Sequence, residues 1–137
     1  MGEDISFPQN SSILKEKGKE LTKMIETVFP YALGDEKKVE KLIDHPVAMI
    51  NHMVFPKDQG LPEHYSNSNV YMIVIRGTLS IGLDEQEPHE YAAGNILTIP
   101  YHVKMNVGNS HDEVLELFVI KAPTPSHYKE DMPSENG

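Results

Sequence analysis

Short apolar runs alternate with polar turns along most of this chain. The runs are rich in β-branched residues, and Gly, Pro, Asn and Asp separate them. Because β-branched residues suit a pleated, buried surface and the separating residues favour turns, the pattern predicts short strands. Repeated short strands of this kind indicate a sandwich or barrel. The predicted strands cover residues 47–55, 60–66, 70–75, 78–83, 89–92, 95–99, 103–107 and 114–120.

Two of the predicted strands, residues 70–75 and 114–120, are apolar on both faces. A strand that is half exposed to water should instead alternate between apolar and polar residues. One face of each strand would line the interior. The other face needs a cover, because large apolar patches are rarely left open. The N-terminal helix described next or a second subunit would provide that cover, and we predict a homodimer formed by the β-sandwich.

The two ends of the chain differ from its middle. Ser11 or Ser12 can cap a helix, and apolar residues then recur at roughly helical spacing until Pro30. The apolar residues of this predicted helix are Ile13, Leu14, Leu21, Met24, Ile25 and Val28. The segment after Pro123 contains further prolines and little to bury, which predicts a mobile tail.

Composition narrows the class of protein. The chain has 137 residues, which is within the size of one domain. With 12 basic and 21 acidic residues its net charge is −9, which repels phosphate backbones and argues against nucleic acid as a partner. The chain contains no cysteine, and no apolar stretch approaches the ~20 residues of a membrane span. We therefore expect a cytoplasmic protein without a membrane partner.

The stretch GLPEHYSNSNVYMIVIRG, residues 60–77, resembles the first motif of the cupin family. That motif has Gly, five residues, His-x-His, three or four residues, Glu, six residues and Gly. His64 matches the first His and Gly77 matches the last Gly, while Gly60 lies slightly closer to His64 than the motif asks. Ser66 stands at the position of the second His and Val70 at the position of the Glu.

The stretch GNILTIPYHVKMNVGN, residues 94–109, resembles the second cupin motif. Gly94, Pro100 and Asn109 fall on the pattern, whereas His102 replaces a Gly and Met105 replaces the His. The resemblance implies an all-β jelly-roll barrel, or double-stranded β-helix. The charge-rich composition of residues 35–44 suits a helix, but the resemblance favours a short first strand over residues 39–43. The predicted organisation is an N-terminal arm and α-helix over residues 1–36, the cupin barrel over residues 37–122 and a flexible tail over residues 123–137.

The resemblance also implies a site inside the barrel, although three of the four usual metal-ligand positions are changed. We predict that the barrel binds a small, partly apolar molecule and has no metal cofactor, since Ser, Val and Met are poor ligands for iron, manganese or zinc. The predicted ligand pocket contains His64, Ser66, Val70, Met72, Tyr71, Tyr101 and Met105.

Two other interpretations stay open. His52, His64 and His102 would form a nonstandard site for one divalent transition metal if they converged, and the chain would then be an isomerase, epimerase or dioxygenase. The chain would instead be a purely structural assembly subunit if side chains fill the barrel. His45, His89, His111 and His127 lie in loops or near ends, where we expect them to be solvated.

Overall fold

A computed structural model describes residues 24–131 of the chain. The chain divides into two compact units, Met1–Ala32 and Leu33–Gly137. In the first unit the described residues, 24–32, form bends and extended chain without a helix or strand. The predicted N-terminal helix therefore does not include residues 24–30, and the rest of that prediction lies outside the described residues.

The second unit is built from strands. Its strands are β1 (Lys38–His45), β2 (Ala48–Phe55), β3 (His64–Tyr65), β4 (Val70–Arg76), β5 (Thr78–Leu83), β6 (His89–Ala92), β7 (Ile96–Ile99), β8 (Lys104–Gly108) and β9 (Leu115–Lys121). Each predicted strand has a counterpart here, and β1 contains the strand expected near residues 39–43. The all-β fold class is therefore confirmed.

The strands form two antiparallel sheets. One sheet has five strands in the order β1-β2-β9-β4-β7, and the other has four strands in the order β3-β8-β5-β6. Many strands that are neighbours in a sheet are far apart along the chain. For example, β2 pairs with β9, from Met49 opposite Lys121 to Phe55 opposite Leu115. The connections therefore cross between the sheets repeatedly, as in a double-stranded β-helix.

The hydrophobic core contains residues of both sheets. Along β9, Leu115, Leu117 and Val119 are buried in it, while the residues between them are less buried. Apolar burial of this kind is the main favourable contribution to folding. We call the face that carries the core inward and the opposite face outward. The core residues are Met53, Phe55, Val70, Met72, Val74, Leu79, Ile81, Ile99, Met105, Val107, Leu115, Leu117 and Val119.

Two motif residues shape the connections between strands. Gly77 has a φ of 77°, and a Cβ atom there would lie 2.2 Å from the backbone oxygen of Val114. Only glycine fits that conformation and that approach. The buried Asn109 donates from Nδ2 to the carbonyl oxygens of Phe55 and Glu113, each at 2.9 Å. The motif Gly and Asn therefore have structural roles in this chain.

The segment after β9 differs from the sequence prediction. Residues 123–131 were expected to belong to a mobile tail, but Pro125–Asp131 form a 3₁₀ helix. The ring of Tyr128 in this helix stacks on Tyr101 with centroids 4.0 Å apart, and Thr124 is buried. This aromatic contact holds a segment whose composition alone is typical of a loose end. No helix in the described part of the chain is long and apolar enough to cross a membrane.

Candidate functional site

Three residues at the cupin motif positions reach the barrel interior. His64 on β3 is directly opposite Met105 on β8, so the two side chains share the inward face. Val70 begins β4 on the other sheet, where both it and Met72 are buried in the core. Val70 and Met105 are therefore packed as core residues, whereas His64 lies on the inward face and is half-buried.

Ser66 uses its hydroxyl for the backbone. Its Oγ donates to the carbonyl oxygen of Pro100 at 2.7 Å and accepts from the backbone N–H of Val103 at 2.8 Å. The Ser66 side chain is buried, and these two bonds tie the end of β3 to the loop before β8. A hydroxyl engaged in this way stabilises the loop, whereas the sequence placed it in a ligand pocket.

The two predicted pocket tyrosines lie away from this interior group. Tyr71 alternates with Val70 and Met72 along β4, so it points outward, and 38% of it is exposed. Tyr101 stacks on Tyr128, and its backbone N–H donates to Asn69 Oδ1 at 3.1 Å. The predicted pocket of seven residues is therefore not assembled as one lining.

The histidines considered for an alternative metal site are separated. His52 points outward, with Nδ1 2.7 Å from Glu40 Oε2 and Nε2 2.7 Å from a carboxylate oxygen of Glu116. The Nδ1 of His64 donates to the Pro62 carbonyl oxygen at 2.9 Å. His102 stacks on Tyr65 with ring centroids 5.0 Å apart. The three imidazoles therefore do not point at a common centre.

The motif positions do not fit the metal ion that the cupin resemblance implies. They offer one imidazole, a hydroxyl bonded to backbone, and two core side chains, whereas such ions need several nitrogen or oxygen ligands. Among residues 24–131, no three His, Asp or Glu side chains are placed to hold a metal ion.

A concave site does lie between the edges of the two sheets. This side cleft has a volume of about 280 Å³ and is bounded by β5, β6 and β7. Its floor consists of the core residues Ile81 and Ile99 together with Leu83 and Leu97, which pack against the core. The complete lining is Ile81, Leu83, His89, Tyr91, Asn95, Ile96, Leu97, Thr98 and Ile99.

The rim of the side cleft is polar. His89 and Tyr91 alternate on β6, with the Tyr91 hydroxyl 3.3 Å from His89 Nδ1, and Asn95 Nδ2 donates to the Ala92 carbonyl oxygen at 2.9 Å. An apolar floor with a few polar groups around it is the usual composition of a small-molecule site. Sequence reasoning treated His89 as a solvated loop residue, because nothing local shows that β6 and β7 face each other across a cleft.

A second group that sequence reasoning missed is Lys121, which is the last residue of β9 and lies on its inward face. Lys121 continues the row of Leu117 and Val119, and its Cα lies opposite both Met49 and Val70. Burial lowers the pKa of Lys121 from its ordinary value, and the positive charge of Lys41 lowers that pKa further. A lysine between apolar runs gives no sequence signal of its own, since strand ends commonly carry charged residues.

The outward face of the four-stranded sheet carries polar clefts. Two of them, of about 710 and 570 Å³, share Ser80, Pro88 and Ser110. Ser80 and Ser110 each donate to Glu90 Oε2 at 3.4 Å, and His111 Nε2 lies 3.0 Å from the other oxygen of that carboxylate. The Glu90 and Ser110 side chains are exposed, which is typical of a solvated surface network.

Comparison with known proteins identifies relatives of the barrel. No family model matches the chain. An uncharacterised protein of Methanocaldococcus jannaschii is 45% identical over 103 residues, which cover 74% of this chain and 89% of that relative. A crystal structure of an RmlC-like cupin family protein with a double-stranded β-helix fold, from the same organism, is 43% identical. It superimposes with a TM-score of 0.75 over 77% of this chain and 98% of its own.

More distant structures share the fold alone. A cupin superfamily protein of Desulfitobacterium hafniense is 14% identical, with a TM-score of 0.58 over 68% of this chain and 83% of its own. A cupin-like protein of Thermotoga maritima is 20% identical, with a TM-score of 0.54 over 57% of this chain and 59% of its own. The barrel thus recurs at low identity, with no ligand implied by the likeness.

Proposed function

Because this chain belongs to the RmlC-like cupin family, with its double-stranded β-helix, we propose that it is a binding module for a small, partly apolar molecule. The side cleft between β5, β6 and β7 is the observation that carries this proposal. Its floor of Leu83, Leu97 and core residues would contact the apolar part of the ligand. We place this binding function in the cytoplasm, which the absence of cysteine supports.

The polar rim of the side cleft would orient the ligand. His89 and Tyr91 together present an imidazole and a phenol hydroxyl that can each donate or accept a hydrogen bond. Pockets that bind small molecules commonly combine apolar walls with a few such groups. The volume of about 280 Å³ suits a small metabolite rather than a nucleotide or a peptide.

The proposed binding needs no metal ion. Ser66 and Val70 stand at two metal-ligand positions of the first cupin motif. The Ser66 hydroxyl is hydrogen-bonded to the backbone and Val70 packs in the core, so neither is available to bind a metal ion. Elemental analysis of natively purified protein should therefore find far less than one transition-metal ion per chain. Near-stoichiometric metal would contradict the metal-free binding module and favour an enzyme.

Filling the side cleft tests the binding site directly. Leu97→Trp places a larger ring in the cleft, and we expect loss of binding when partly apolar fragments of about ten heavy atoms are screened by ligand-observed NMR. Val39→Trp is the matched control, because Val39 lies on an edge strand of the same sheet and is exposed. Equal binding to both variants, or no fragment bound by the wild type, would show that the cleft is not a binding site.

We further propose that the outward face of the five-stranded sheet pairs with a second copy of the chain. Tyr71 and Ile75 are 38% and 40% exposed on β4, and Ile73 lies between them on the same strand. Contiguous apolar groups of this kind usually mark an interface. Sedimentation equilibrium should show a dimer for the wild type and for Val47→Glu, a control at an exposed loop, but a monomer for Ile75→Glu. A 15.4 kDa wild-type species would contradict the dimer.

A further inference from the structure

Lys121 is a mostly buried cation that has no charged partner among residues 24–131. It follows Val119 by two residues on the inward face of β9, and its Cα lies opposite Val70 on β4 and Met49 on β2. Lysine is rarely buried unless it is paired. Among the described residues, no carboxylate forms an ion pair with Lys121. Within the described residues, the Lys121 ammonium group therefore has no negative charge beside it to offset its burial.

Asn51 carries an unsatisfied acceptor beside this lysine. Asn51 lies opposite Val119 on β9, and 8% of it is exposed. Its Oδ1 atom is fully buried and has no hydrogen-bond partner within the described part of the chain. Leaving a buried polar atom unpaired is costly, so native proteins rarely do so. The structure thus places a free cation and a free acceptor on neighbouring strands of one face.

The local charge favours an anion. Lys41 lies opposite Asn51 on β1, and its charge acts on Lys121. The carboxylate of Asp44 is the acidic group on the same edge, where one oxygen lies 3.5 Å from Lys41 Nζ and the other accepts from Thr124 Oγ1 at 3.2 Å. The Lys41–Asp44 pair is exposed and has no net charge, so the positive charge of this face comes from Lys121.

We propose that Lys121 and Asn51 form a binding site for a small carboxylate that also carries a hydroxyl or amino group. The ligand carboxylate pairs with the Lys121 ammonium group, and the ligand O–H or N–H donates to Asn51 Oδ1. The short apolar remainder of the ligand contacts Met49 and Val70, which flank Lys121. Hydroxy acids and amino acids of a few carbon atoms have this combination of groups.

This inference does not depend on the side cleft. None of Lys41, Met49, Asn51 and Lys121 lines that cleft, so Leu97→Trp should leave carboxylate binding unchanged. Failure of the fragment screen and failure of the carboxylate test are therefore separate outcomes.

The test compares acids that differ by one group. The full chain is titrated calorimetrically with lactate, lactamide and propionate. Lactamide keeps the hydroxyl of lactate but lacks its charge, whereas propionate keeps the charge but lacks the hydroxyl. We expect lactate to bind about 10-fold or more tightly than either analogue, because lactamide lacks the charge that pairs with Lys121 and propionate leaves Asn51 Oδ1 without a donor. Glycolate, 2-hydroxyisovalerate, glycine and alanine extend the series in size and donor type.

Variants then assign each contact. Lys121→Met keeps the length of the side chain and should weaken lactate about 10- to 100-fold, to the level of lactamide. Asn51→Leu should remove the preference for lactate over propionate. Lys57→Met makes the same charge change at an exposed lysine that pairs with Asp112, and it should leave binding unchanged. Circular dichroism should show that all three variants are folded.

Three results would overturn the proposal. The first is a wild-type chain that binds none of these acids at millimolar concentrations. The second is lactate binding that is as strong in Lys121→Met as in the wild type. The third is an equal loss in Lys57→Met and Lys121→Met, since that would reflect the net charge of the chain rather than a site.

Discussion

His52 Nε2 lies 2.7 Å from Glu116 Oε2 on the outward face of the five-stranded sheet, although the His52 side chain is fully buried. Its Nδ1 lies 2.7 Å from Glu40 Oε2, so one ring joins two carboxylates that are themselves mostly buried. Arg76 extends the network, with Nε donating to Glu116 at 3.1 Å and a terminal nitrogen donating to Asp35 at 2.7 Å. The hydrogen bond to Asp35 raises the pKa of Arg76 above its ordinary value, and the charge of Glu116 also raises it.

Removing the His52 ring should cost a large part of the stability. His52→Ala removes the ring that lies within 2.7 Å of both the Glu40 and the Glu116 carboxylates, and removing one member of a buried ionic network costs about 3–5 kcal/mol. Urea unfolding measures the change in free energy of unfolding. His127→Ala removes an exposed imidazole and should change that free energy by less than about 0.5 kcal/mol. A His52→Ala loss below about 1 kcal/mol would mean that the network contributes little.

Gly77 should be far less tolerant of a side chain than Gly94. Both have positive φ values, 77° and 99°, so alanine at either position strains the backbone by about 1–2 kcal/mol. A Cβ at Gly77 also lies 2.2 Å from the Val114 oxygen, whereas a Cβ at Gly94 has no atom within 4 Å. Thermal unfolding should therefore show a clearly larger loss for Gly77→Ala than for Gly94→Ala. Equal losses would mean that the close approach to Val114 relaxes without cost.

His102 combines an unfavourable backbone conformation with a ring contact. His102 stands at the position where the cupin motif has Gly, and its φ is 69°. Its ring stacks on Tyr65. His102→Gly removes both the strain, about 1–2 kcal/mol, and the stacking, about 0.5–1.5 kcal/mol, so stability should change little. His102→Ala keeps the strain and loses the stacking, so it should be the less stable variant in urea unfolding. The reverse order would show that the backbone there is unstrained.

Lys121 should make stability depend on pH in the alkaline range. Because burial lowers its pKa in the folded chain below the ordinary 10.5, the unfolded chain binds more protons between those two values. The free energy of unfolding of the wild type, relative to Lys121→Met, should therefore rise with pH toward 10.5. Below the folded-state pKa the difference should be constant, because Lys121 is charged in both the folded and the unfolded chain there. Paired urea titrations across this range test the sign, and a difference that falls with rising pH would contradict it.

The sequence by itself determined the strands and the turns of this protein. Alternating apolar residues and turn residues act over a few positions, so the bounds of β5 and β6 could be predicted without tertiary information. The motif glycines and Asn109 likewise predicted where the chain turns, because their backbone conformations and short-range bonds are local.

Only the tertiary structure decided which face each side chain occupies. A shift of one residue moves a strand's side chains to the opposite face, and β4 is apolar at both parities, so the pattern could not show that Tyr71 points outward. The partners of His52 and Ser66 are likewise distant along the chain, since Glu116 is 64 positions from His52 and Pro100 is 34 positions from Ser66. The inward placement of Lys121 and Asn51 depends on the register of three pairings between four strands, which is set by packing across the whole barrel.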